Sequence, residues 1–137
     1  MSTELRDLLT LSGFKLTKPR VAVFELLEKS DDPMSITDVV KQLPEVDKVS
    51  VYRTIELFRS LHIVATVYNG WKQLYELAEP FNRHHHHLVC TECGALTEIH
   101  SDKLERVIEA LTNDNGFVAT GHHFEITGYC GQCRSGN

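Results

Sequence analysis

Two Cys-x-x-Cys pairs, Cys90/Cys93 and Cys130/Cys133, constrain this chain more than any other feature. They hold all four of its cysteines. If four thiolates share one tetrahedral ion, two segments far apart in sequence must meet. In a reducing compartment this paired spacing points to a metal site rather than to disulfides. Four sulfur ligands close the coordination shell and leave no position for a substrate, so the expected zinc is structural. In small sites of this kind metal binding supplies on the order of 10–16 kcal/mol, largely as folding energy.

Directly before the first pair comes a run of four histidines, in HHHHLVCTECG over residues 84–94. Purification tags sit at termini, whereas patterned sequence continues well beyond this run. On a strand alternate residues share a face, so His84 and His86 point one way and His85 and His87 the other. Two adjacent sites are therefore expected, each starting from two imidazoles. Glu76, Glu79, Glu98, Glu105 and Glu125, with His122 and His123, are available to complete them. With the cysteines engaged, the donors are nitrogen and oxygen only. Such sites suit Fe(II), Mn(II), Co(II) or Zn(II) and exclude a soft, thiolate-selective centre. The bland alternative for the run is a solvated loop. His62 and His100 read as ordinary surface or core histidines.

The amino-terminal half has helical periodicity. Leu5, Leu8, Leu9 and Leu11 mark a first helix with Gly13 as its stop. Thr17 is expected to cap a second helix, with Pro19 in its first turn and Val21, Phe24 and Leu27 facing inward. Ser35 opens a third, with Val39, Val40 and Leu43 inward and Pro44 ending it. A fourth covers about 50–61 and buries Val51, Ile55 and Phe58. The period then becomes extended: IVATVY and WKQLYEL flank Asn69-Gly70, a strong hairpin signal. Helices followed by a hairpin predict a winged helix-turn-helix over residues 1–80. AEPFNR, residues 78–83, mixes Pro with polar residues as a hinge would. Residues 81–137 read as a small α/β domain. Its strand candidates are 88–90, 95–99, 117–120 and 124–129, and its one helix covers about 102–112. The fold class is thus α+β.

The formal net charge is −5. Residues 1–70 hold nine Lys+Arg against ten Asp+Glu, so most of the excess negative charge lies in the histidine-rich half. A nonspecific nucleic-acid coat is excluded, and without cations the acidic half would oppose DNA. No apolar run approaches the roughly 20 residues that span a bilayer. The amino terminus lacks the layout of a signal peptide, so a cytoplasmic location with no membrane partner is expected.

KLTKPR, VYRTIELF, YEL, HHHHLVCTECG, TEIH, GHHFEI and CGQC, in this order along nearly the whole chain, resemble the ferric uptake regulator family of bacterial metal sensors. The resemblance implies a homodimer joined through the carboxyl half and a repressor of metal-uptake genes that binds double-stranded DNA when loaded with metal. It implies structural Zn(2+) on Cys90, Cys93, Cys130 and Cys133. By position, the regulatory metal would fall to Glu76, His85, His87 and Glu98. A second site would fall to His84, His86, Glu105 and His122, with His86 where many members carry Asp. Many members also bring a histidine from just before the third helix; here that position is Pro33, which cannot ligate. Asp31, Asp32 or Glu79 are then the substitutes. DNA contact is expected from Lys15, Lys18, Arg20, Ser50, Tyr52 and Arg53, on an A·T-rich inverted repeat. The alternative for Tyr52 is a core aromatic.

The absence of a spare cysteine leans away from zinc-uptake control, and Glu98 in place of Asp leans away from peroxide sensing. Fe(2+) is the favoured signal, with Zn(2+) or Mn(2+) as alternatives. Two readings from other classes compete. A histidine–carboxylate metallohydrolase would need an open coordination position and a nearby acid or base, and no HExxH motif is present. A zinc-ribbon interaction module would leave the winged helix unexplained.

Overall fold

A computed structural model describes residues 3–135. Contacts divide the chain into two compact units, Met1–Arg83 and His84–Asn137.

The first unit contains α1 (Thr3–Leu11), α2 (Lys18–Lys29), α3 (Ile36–Gln42) and α4 (Lys48–Ser60), followed by β1 (Val64–Asn69) and β2 (Lys72–Leu77). Leu5 and Leu9, one turn apart on α1, are buried, but Leu11 is 89% exposed. Thr17 stands at the N-cap of α2 without bonding through its side chain. The expected cap there is a position only. Val23, Phe24 and Leu27 form the buried stripe of α2, and Val21 at its edge is half-buried. Ser35 does cap α3: its Oγ accepts from the Asp38 N–H at 3.1 Å. The fourth helix starts before Ser50, because Asp47 caps it by accepting the Ser50 N–H at 2.9 Å and its hydroxyl at 2.6 Å. Val51, Ile55 and Phe58 are fully buried. Removing each of these large apolar side chains from water contributes about 1.5–3 kcal/mol. Phe81 also joins this core, edge-on to Phe24 with ring centroids 5.1 Å apart.

The hairpin forms with a different tip from the one expected. Asn69 pairs with Lys72, which leaves Gly70 and Trp71 as the two-residue turn. Gly70 has φ 62, and Trp71 is not among the positive-φ residues. Positive φ at the first central position alone is the pattern of a II′ turn, where glycine is demanded first. Met34 bridges Tyr75 in antiparallel fashion, which pins the segment before α3 to the hairpin.

The second unit holds β3 (His86–Cys90), β4 (Leu96–Ile99), α5 (Asp102–Asp114) and β5 (Glu125–Gly128). Its sheet has the order β4-β3-β5, antiparallel on the β4 side and parallel on the β5 side. A parallel neighbour needs a long crossover connection, and the segment containing α5 supplies it. Ser101 caps α5 by accepting the Leu104 N–H at 3.1 Å. Residues 117–120, expected as a strand, are not one. The Phe117 N–H instead bonds the Thr112 carbonyl at 2.8 Å and closes the end of α5. The apolar stripe of α5 is also less covered than its periodicity suggests. Leu104 and Ile108 are half-buried, Val107 and Leu111 are exposed, and no residue of this helix is buried.

Candidate metal centres and nucleic-acid surface

Both cysteine knuckles stand at one end of the sheet, because β3 and β5 run parallel with Cys90 in register with Gly128. Cys90 closes β3, and the Gly94 N–H returns to its carbonyl at 3.0 Å with Gly94 at φ 78. After β5, the Cys133 N–H bonds the Cys130 carbonyl at 3.1 Å, and Gly131 needs no left-handed backbone. The four sulfurs all lie within 4.8 Å of one another. Cys93 Sγ and Cys130 Sγ are 3.8 Å apart, near the ~3.8 Å that bonds of about 2.3 Å give around tetrahedral zinc. Backbone N–H groups of Cys93 and Cys130 lower the Cys90 thiol to about 6, whereas its hydrogen bond with Cys130 pushes Cys133 up to about 12. Donors aimed at one sulfur prepare it as a thiolate; a thiol donating to a neighbour holds its proton. All four cysteines are free of disulfides. The donor set fits zinc, which would close the knuckles and hold no substrate.

The histidine run is no solvated loop, since His86 and His87 are 3% and 6% exposed. The rings pair as strand alternation requires. His84 and His86 stand 4.8 Å apart, centroid to centroid, and His85 and His87 stand 4.7 Å apart. On the first face, His84 Nε2 is 3.2 Å from Glu105 Oε1 and 3.0 Å from His122 Nε2. His86 Nε2 reaches Glu105 Oε1 at 2.6 Å, and His122 Nε2 lies 3.0 Å from Glu105 Oε2. Burial pushes the Glu105 carboxyl upward, but the His86 hydrogen bond and the fields of His84 and His122 outweigh it and hold the group low. Three imidazole nitrogens around one carboxylate form a nitrogen–oxygen donor set that fits a borderline divalent cation. His123, a candidate for the same role, is exposed and outside this cluster.

On the other face, β3 and β4 place His87 opposite Glu98. Glu98 Oε1 lies 3.9 Å from His85 Nδ1 and 2.8 Å from His100 Nε2. His100, read from sequence as bland, therefore lies closer to this carboxylate than His85 does. The signal was available: Glu98 and His100 are two apart at a strand end, and such residues share a face. Glu125 stands in β5, exposed, in register with His87. Glu76 lies half-buried in β2 of the first unit, opposite Ala65, with Glu79 exposed beyond that strand. Asp31 and Asp32 are exposed in the loop before Pro33, where the Asp32 carbonyl accepts from Ser30 Oγ at 2.6 Å.

Among the expected DNA contacts, Tyr52 is 42% exposed on α4 and is not a core aromatic. Lys48 Nζ lies 5.8 Å from its ring centroid, and Arg53 beside it is exposed. Lys15 and Lys18 are exposed. Arg20 turns back instead, donating from Nη1 to the Lys15 carbonyl and lying 5.6 Å over the Phe14 ring. It shapes the loop that presents Lys15. Ser50 is engaged in the cap of α4.

The ferric uptake regulator family matches residues 11–127. This chain is a member of it. The ferric uptake regulation protein of Bacillus subtilis is 38% identical over 129 residues, covering 89% of this chain and 87% of that protein. The ferric uptake regulator of Francisella tularensis, solved with iron, has a TM-score of 0.73 at 29% identity over 90% of this chain and 96% of that one. The Pseudomonas aeruginosa regulator, solved with manganese, has a TM-score of 0.82 at 26% identity over 95% and 99%. As a ferric uptake regulator family member the chain is a metal-sensing, DNA-binding transcriptional regulator with a winged helix, and not an enzyme. Membership sets aside the hydrolase and the free-standing zinc ribbon. No helix among the described residues is long and apolar enough to cross a membrane.

Proposed function

We propose that this regulator is an iron(II)-responsive homodimeric repressor of metal-uptake genes that binds an A·T-rich inverted repeat. The separation of donor types carries the reading. All four thiols gather in one cluster, and every remaining candidate donor is imidazole or carboxylate. Nitrogen–oxygen sets accept Fe(II) and Mn(II) and give up the selectivity for soft metals that thiolates confer. In this reading the four cysteines hold Zn(2+). Glu76, His85, His87 and Glu98 form the regulatory centre, and His84, His86, Glu105 and His122 form the second. Asp31, Asp32 and Glu79 are the substitutes for the donor missing at Pro33. Tyr52 and Arg53 would read base edges and phosphates, while Lys15 and Lys18 would neutralise the backbone. Exposed Ile126, Leu111 and Phe117 support a partner copy against the second unit, and a two-fold dimer calls for an inverted repeat.

DNA binding to a synthetic A·T-rich inverted repeat, titrated with Fe(II), Mn(II) and Zn(II) without oxygen, tests this reading. Fe(II) should activate binding at the lowest free concentration relative to its cellular availability. Activation by Zn(II) alone would move the chain to zinc control, and metal-independent binding would refute the sensor reading.

A further inference from the structure

His100 follows the end of β4 and belongs to neither histidine cluster, yet it touches both surroundings. Its Nε2 lies 2.8 Å from Glu98 Oε1, and its Nδ1 lies 3.2 Å from the carbonyl oxygen of His84. The same Glu98 oxygen is 3.9 Å from His85 Nδ1. His84 in turn directs its Nε2 to His122 and Glu105 at 3.0 and 3.2 Å. A chain of contacts thus runs from His85 through Glu98 and His100 to His84, and every member lies in the second unit.

We propose that His100 is a positioning residue that couples the two metal centres. It orients Glu98 toward His85 on one face and holds the backbone from which His84 reaches the other cluster. Partners just outside a metal's ligands fix ring and carboxylate orientation, and losing one typically costs about 10–100-fold in metal affinity. Here one ring serves both centres. A cation that draws Glu98 toward its own ligands pulls on His100, and His100 pulls on the His84 carbonyl. By linkage the effect is reciprocal: either metal changes the affinity for the other by the same factor. This inference rests on reading both clusters as metal centres.

The test uses the full-length, zinc-loaded protein titrated with Co(II), whose visible absorption reports histidine ligation. His122→Ala isolates one centre and His87→Ala the other; their separate affinities are compared with the two-metal affinity of the unaltered chain. The product should depart from the two-metal value by about fivefold or more. In His100→Ala the departure should vanish while zinc content and the unfolding midpoint stay unchanged. Two further variants separate positioning from mere packing. The amide nitrogen of His100→Gln replaces Nε2 beside Glu98, whereas that of His100→Asn replaces Nδ1 beside the His84 carbonyl, so neither alone should restore coupling. Coupling that persists in His100→Ala, is restored by either substitute, or is absent from the unaltered chain overturns the proposal. If no Co(II) binds beyond the thiolate zinc, the reading of the clusters falls as well, a result distinct from uptake without coupling.

Discussion

At the scale of single residues, His62 stands out by its backbone. It has φ 58, the only positive-φ residue besides glycine among the described residues. It occupies the position just after α4, where its N–H bonds the Arg59 carbonyl at 3.1 Å and the Ile63 N–H bonds that of Phe58 at 2.8 Å. This double return closes a helix most cheaply with a left-handed residue, and Gly13 and Gly116 fill the equivalent places after α1 and α5. A side chain with a Cβ costs roughly 1–2 kcal/mol there. Since His62 is exposed and loses little packing, His62→Gly should stabilise the first unit by about 1 kcal/mol. A urea transition followed by circular dichroism will show it, and an unchanged or lower midpoint would mean that the imidazole makes a compensating contact. The strain was invisible to periodicity, which saw only a histidine between two apolar stretches.

At the scale of elements, α4 presents Tyr52 and Arg53 and depends on Asp47 at its start. Hydrogen bonds from the Ser50 side chain and backbone hold the Asp47 carboxyl below its usual 3.8. A depressed folded value means that the cap contributes above the unfolded value and is lost as pH falls through the lower folded one. Asp47→Ala should therefore weaken helix stability and operator binding at neutral pH. Its stability deficit against the unaltered protein should shrink as pH falls below the usual 3.8 and through the lower folded value, where the capping carboxylate protonates. An undiminished deficit at acid pH would show that the cap acts through something other than its charge. The same helix shows how far element boundaries can be read. Val51, Ile55 and Phe58 revealed its buried face, but its true start needed the bond between Asp47 and Ser50. In the hairpin the Asn-Gly pair signalled a turn, yet the register shifted the tip to Gly70-Trp71.

At the scale of the molecule, the second unit leaves much apolar surface uncovered. Phe117, Val118, Leu111, Val107, Ile126 and Tyr129 are each at least 48% exposed. Exposed apolar area of this kind marks an interaction surface, and a stable interface needs about 1,000 Å² or more. Ile126→Glu should dissociate the proposed homodimer at micromolar concentration, as seen by sedimentation, while four thiolates still retain one zinc per chain. A dimer that survives would place the interface elsewhere. The metal-dependent switch is tested at the same scale. His85→Ala combined with His87→Ala should abolish metal-activated DNA binding and spare both zinc and dimer. His84→Ala combined with His86→Ala should keep the response with reduced stability, because that cluster lies wholly within the second unit. The opposite outcome would assign sensing to the second centre.

Chemistry and short-range geometry were legible in the sequence. Paired cysteines announced a thiolate cluster, and alternation alone sorted His84 with His86 and His85 with His87. Periodicity placed the helices: in α1 to α4 a buried stripe imposes the period, and in α5 the same period appears on a stripe with no buried residue. Tertiary structure alone decided what depends on partners distant in sequence. From donor chemistry alone Glu105 was one of five candidate carboxylates; the family resemblance singled it out, and it is the sheet and α5 that bring it to three imidazoles. Residues 117–120 have strand-like composition, but an extended segment without a neighbouring edge gains no ladder bonds, and closing α5 took the Phe117 N–H instead. The apolar stripe of α5 read as core, although burial depends on what stands opposite, which no local pattern records. His100 acquired its place for the same reason: an imidazole takes its meaning from the acceptors around it, and the fold supplied them from Glu98 and from the backbone of His84.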